Sequence, residues 1–95
     1  MINRQIKIAN PIGVHSRPAA LLVQVASKFN SSIWIEKDEK RANAKSIMGL
    51  MSLILCDGDV ITVIVDGDDE NDAIKAIAKL VESGFDEMVA KELTQ

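Results

Sequence analysis

Val60-Ile61-Thr62-Val63-Ile64-Val65 is the strongest strand signal in the chain, apolar on both alternating faces apart from Thr62. Such a run belongs in the middle of a sheet, where both sides are covered. Upstream, Asp57-Gly58-Asp59 resets the chain as a turn. Downstream, Asp69 is a good N-cap for a helix with acidic residues in its first turn. Ile74, Ile77, Ala78 and Val81 form its apolar stripe, and Gly84 is the expected stop. Residues 85–95 can add a short helical tail through Phe85, Met88 and Val89.

The N-terminal half alternates in the same way. Residues 2–8 (INRQIKI) put Ile2, Ile6 and Ile8 on one parity, with Arg4 as the exception, which predicts a strand. Asn10-Pro11-Ile12-Gly13 breaks it. From Ser16 to Lys28 the period becomes helical, with Ala19, Leu22, Val23 and Ala26 on one face. Ser16 is the expected N-cap, and Pro18 is tolerated because it lies in the first turn. Residues 32–37 (SIWIEK) read as a strand with Ile33 and Ile35 facing one way and Trp34 and Glu36 the other. Asp38-Glu39-Lys40 is a turn, and residues 41–44 form a weak strand. Ile47–Leu53 is a short helix with Ser46 as its cap. The order β-α-β-β-α-β-α predicts an α+β fold, an antiparallel sheet covered on one face by helices.

Bulk properties narrow the function. A chain of 95 residues is expected to form one domain, residues 1–95, with 85–95 as a helical extension. Fourteen acidic against eleven basic residues give a net charge of −3, which argues against a general nucleic-acid binder. With no Tyr, two Phe and one Trp, a base-stacking platform is also disfavoured. One His and one Cys make no metal-ligand cluster, and no cofactor motif is present. The single Cys56 suits a reducing compartment. No apolar run approaches the roughly 20 residues that span a bilayer, and no secretory signal is visible. A cytoplasmic protein is expected.

The candidate chemistry concentrates at Gly13-Val14-His15-Ser16-Arg17-Pro18. His15 precedes a helix N-terminus, where free N–H groups and the dipole favour an anion. Arg17 adds a permanent guanidinium at the same spot. A neutral imidazole can attack phosphorus, and the phosphoryl group then meets backbone donors and Arg17. A histidine at a helix start is also a common surface or capping residue, so local chemistry alone leaves both readings open. In Lys45–Leu53 (KSIMGLMSL), two helical turns cannot bury Ile47, Met48, Leu50, Met51 and Leu53 together. Some must be exposed, and exposed Met and Ile suit an adaptable docking surface.

At these two segments the chain resembles the HPr family of the phosphoenolpyruvate-dependent sugar phosphotransferase system. GVHSRPAALLVQVASKF is similar to that family's phosphohistidine segment, KSIMGLMSL to its regulatory-serine segment, and DGDDENDAI to the start of its last helix. The likeness runs from about residue 4 to residue 84. It implies an open-faced β-sandwich of four antiparallel strands with three helices on one face. It implies that His15 carries the phosphoryl group on Nδ1 and that Arg17 assists. Enzyme I would be the donor and enzyme IIA domains the acceptors, with no independent turnover by the carrier. Ser46 matches the serine modified by HPr kinase/phosphorylase, and the phosphorylated form would bind the catabolite control protein. Ser16, Ala20, Leu21, Ile47, Met48 and Met51 are the expected partner-binding residues. Retention of His15 separates the chain from related regulatory paralogues that lack the histidine.

Several positions depart from the family pattern. Ile12 stands where a small polar residue is common, and Ile54 replaces a common glycine after the short helix. Cys56-Asp57 makes the next loop more acidic, and the tail beyond Gly84 is longer than usual. Two other readings compete: a purely regulatory module acting through Ser46, and a small acylphosphatase-like hydrolase. The second leaves His15 idle and lacks a Gly-rich arginine loop near the N-terminus.

Overall fold

A computed structural model describes all 95 residues. The strands are β1 (Ile2–Lys7), β2 (Ser32–Lys37), β3 (Lys40–Asn43) and β4 (Val60–Asp66). The helices are α1 (Ser16–Ala26), α2 (Ile47–Ser52), α3 (Glu70–Glu82) and α4 (Glu87–Leu93). The sheet is antiparallel in the order β1-β4-β2-β3, so the apolar run at 60–65 is a central strand as its composition requires. The helices pack on one face, with α3 over β1 and β4, α2 beside β3, and α1 contacting α2, α3 and α4.

Parity decides what is buried. Ile6 from β1, Ile33 and Ile35 from β2, and Ile61, Val63 and Val65 from β4 face the helices and are buried. Leu22, Leu50, Ile77 and Leu80 close over them. Each such side chain contributes roughly 1.5–3 kcal/mol of transfer free energy. Arg4, the parity exception, sits on edge strand β1 and donates to Glu82 of α3 at 2.9 Å. On the open face Trp34 pairs with Ile64 in the β2–β4 register, and both are largely covered there.

Some local expectations are corrected. The first residue of α1 is Ser16, and His15 is the N-cap, with no side-chain capping bond. Val25 is buried on α1 while Val23 is only partly so, because Pro18, Ala19, Leu22, Val25 and Ala26 share the inward face. Asp69 stands at the N-cap of α3 but does not cap it with its side chain. Its carboxylate instead accepts from the amides of Asn30 at 2.8 Å and Ser31 at 3.0 Å, and from the Ser31 hydroxyl. The carboxylate thereby ties the α1–β2 connection to α3. The tail forms α4, but Met88 faces solvent, and Phe85 and Ala90 are the buried residues.

Gly84 ends α3 as expected, with φ +77. The Gly84 amide donates to Val81 O and the Phe85 amide to Leu80 O, both at 3.0 Å, the pairing of a Schellman motif. A Cβ at Gly84 would lie 2.7 Å from the carbonyl oxygen of Ala9, so glycine is required there twice over.

Candidate active site

His15 is placed by a loop whose polar groups are spent on its own shape. Asn10 donates its amide to Asp57 Oδ1 at 2.9 Å, and its side-chain oxygen accepts from the Ile12 amide at 3.1 Å. Gly13 turns at φ +81, where an added Cβ would press on Leu55 O at 3.1 Å. The Val14 amide then donates to that same Leu55 carbonyl at 2.9 Å, and the Val14 side chain is buried. The next residue, His15, emerges exposed at the head of α1 with an extended backbone (φ −97, ψ −163). Its carbonyl accepts from Ala19 at 3.1 Å.

This head of α1 carries the donors that the sequence implied. The amides of Ser16 and Arg17 have no hydrogen-bond partner in the fold, as first-turn amides do not. Both side chains are exposed, and Arg17 makes an ion pair at 3.3 Å with Glu87 of α4. Pro18 is buried at the third helical position and has no N–H to leave unpaired. Ala20 and Leu21 lie half-buried on α1, which packs on α2.

A shallow cleft of about 560 Å³ opens beside His15. Its lining joins the 11–15 loop to Met51 at the end of α2 and to the 54–57 loop. Of the expected partner-binding residues only Met51 reaches the cleft. Ile47 and Met48 are exposed on α2 outside it, Met48 most of all at 84%. Ser46 caps α2, its Oγ accepting from the Gly49 amide at 3.1 Å, and it too lies outside the cleft lining.

Four residues singled out as departures, Ile12, Ile54, Cys56 and Asp57, line the cleft. Ile12 is 81% and Ile54 69% exposed. Ile54 also adopts φ 51, a left-handed conformation that a β-branched residue enters at a cost. That backbone explains why a glycine suits the position. The 54–59 loop is braced from below. Lys37 donates to Ile54 O at 2.9 Å and pairs with Asp59 at 2.7 Å, while Asp59 accepts from the Cys56 amide at 2.8 Å. The bond from Lys37, with the Cys56 amide, holds the Asp59 carboxyl below its ordinary range, and Asp59 holds the Lys37 ammonium above its own. Glu87 is the residue that sequence reasoning missed, because nothing local links a tail residue to Arg17.

No cluster of His, Cys, Asp and Glu that could hold a metal is present. No helix is long and apolar enough to cross a membrane.

A family model described as the PTS HPr component phosphorylation site matches residues 2–83. The HPr-like protein Crh of Halalkalibacterium halodurans is 49% identical over 82 residues, 86% of this chain and 98% of its own. Phosphocarrier protein HPr of Treponema pallidum is 44% identical over 87 residues, 92% of this chain and 99% of its own. The crystal structure of HPr-C-His from Thermoanaerobacter tengcongensis superposes with a TM-score of 0.86 at 56% identity, covering 90% of this chain and 96% of that one.

Proposed function

The chain belongs to the HPr family of the phosphotransferase system, and we propose from that membership that it is a cytoplasmic phosphocarrier using His15. Enzyme I is the donor and enzyme IIA domains are the acceptors. The nitrogen lone pair of His15 bonds to phosphorus as the donor's bond to phosphorus breaks, and that electron pair leaves with the donor. The same exchange then runs in reverse onto the acceptor. No cofactor is needed, because the transferring phosphoryl oxygens find their donors in Arg17 and the first-turn amides. The carrier has no turnover of its own.

The observation that carries this reading is the exposure of His15 at the head of α1, beside two unpaired amides and an exposed guanidinium. The exposed Ile47, Met48 and Met51 on α2, with Ala20 and Leu21 on α1, supply an apolar border that a partner can cover, and Ser16 adds a polar contact at the head of α1. The test is incubation with phosphoenolpyruvate and a bacterial enzyme I, followed by intact mass measurement. A single phosphoryl adduct, lost in mild acid and kept in base, is the expected product. No adduct would remove the carrier role.

A second reading, a module regulated through Ser46 alone, draws support from the 49% identity to an HPr-like protein. In the proposed scheme Ser46 regulation by HPr kinase/phosphorylase, with the catabolite control protein as a further partner, is added to the carrier role. An intact His15 favours the carrier.

A further inference from the structure

The Glu87 carboxylate lies 3.3 Å from the Arg17 guanidinium, Oε1 to Nη1, joining the first residue of α4 to the first turn of α1. Glu87 is not on a loose tail. The Schellman turn at Gly84 and the buried Phe85 fix where α4 starts. The Asp86 carboxylate caps it, accepting from Met88 at 2.8 Å and Val89 at 3.3 Å. Ala90 is buried, and Lys28, in the turn just after α1, donates to Thr94 O at 2.9 Å. This helix lies beyond residue 83, where the family match ends.

We infer that Glu87 is a positioning residue for Arg17, holding the guanidinium in the unmodified protein and competing for it with a phosphoryl group on His15. The inference rests on the phosphocarrier reading. Arg17 is 75% and Glu87 64% exposed, and their contact is an ion pair without hydrogen-bond alignment. Such pairs are weak, so the guanidinium is easily surrendered. A phosphoryl group offers it planar, bidentate oxygen pairs with more charge than a carboxylate. Once Arg17 turns to the phosphoryl group, its pairing with Glu87 is given up. That lost pairing counts against the phosphorylated form, so the phosphohistidine is less stable and the phosphoryl group readier to leave. The appended helix thus tunes transfer potential through Arg17, without touching the reacting atoms.

The test measures an equilibrium. Wild type, Glu87→Gln, Arg17→Ala and the double variant are each equilibrated with enzyme I at fixed ratios of phosphoenolpyruvate to pyruvate. The phosphorylated fraction is read by intact mass. Glu87→Gln should raise the equilibrium constant for the phosphorylated form about two- to fivefold, the range of an exposed ion pair. The gain should vanish in the Arg17→Ala background, shrink at high salt where screening shortens to about 3 Å, and leave the melting temperature unchanged. An equal constant in wild type and Glu87→Gln overturns the inference, as does a gain that persists without Arg17. If wild type itself acquires no adduct, it is the phosphocarrier reading that fails.

Discussion

The Oγ of Ser46 accepts the Gly49 amide at 3.1 Å, so one hydroxyl both caps α2 and stands where a phosphate would sit. Ser46→Ala should lower stability by about 1 kcal/mol through loss of the cap, read by denaturant unfolding. Ser46→Asp keeps a capping oxygen and adds charge that the helix start favours, so it should melt near wild type. A phosphate would bring about −1.5 to −2 charge to the same place. Beside the exposed Ile47 and Met48, that charge must be desolvated when a partner docks. Ser46→Asp should therefore slow His15 phosphorylation by enzyme I while Ser46→Ala does not. Equal rates in all three proteins would leave Ser46 as a cap alone.

Arg17→Ala should slow phosphoryl transfer on the order of ten- to a hundredfold, less than a donor in a water-excluded site because the side chain is exposed. The melting temperature should hardly move, since the ion pair with Glu87 is a surface one. Transfer kinetics and thermal melts on the same preparation separate the two effects. An unchanged rate would remove Arg17 from the mechanism.

Ile54→Gly should stabilise the protein by about 1 kcal/mol. The left-handed backbone at φ 51 costs an L-residue roughly 1–2 kcal/mol, partly offset by the chain entropy glycine brings. The 69% exposure of Ile54 means little burial is lost, and its carbonyl remains for Lys37. Chemical denaturation would show it. A less stable glycine variant would mean that the Ile54 side chain contributes packing that outweighs its backbone strain.

Asp69 links stability to pH. The Ser31 hydroxyl, the Asn30 amide and the Ser31 amide hold its carboxyl below the ordinary value. A carboxyl with a depressed folded pKa stabilises above its unfolded value and loses that contribution as pH falls through the folded one. Wild type should therefore exceed Asp69→Asn in stability at neutral pH, and the gap should close as pH drops below about 4. Asp59 is depressed too but is common to both proteins and cancels in the difference. Parallel melting curves down to low pH would contradict the assignment.

Much of this was legible in the chain. The apolar run at 60–65 had to be central, and Ile33 and Ile35 had to face the core, because side-chain period alone decides which face is covered. The cap of α2 was legible because a serine and its helix are neighbours in sequence. What was not legible is long-range. Asp69 satisfies every local rule for a capping residue, yet its carboxylate goes to Asn30 and Ser31 across the fold. Met88 continued an apolar pattern that α4 turns outward, since only docking on α1 and α3 selects the face. Glu87 met Arg17 only because Gly84 folds the tail back. The site followed the same division: His15 and Arg17 came from one contiguous motif, while the cleft between two loops required the fold.

The most direct measurement is phosphorylation of wild type and His15→Ala side by side with phosphoenolpyruvate and enzyme I, followed by intact mass before and after mild acid. His15 is exposed, so its replacement should leave the fold and its melting temperature intact. A carrier role for His15 requires one phosphoryl adduct on wild type, discharged by acid because the phosphoramidate nitrogen protonates and leaves, and none on His15→Ala. An acid-labile adduct on His15→Ala, or a wild type that stays unmodified, would contradict it.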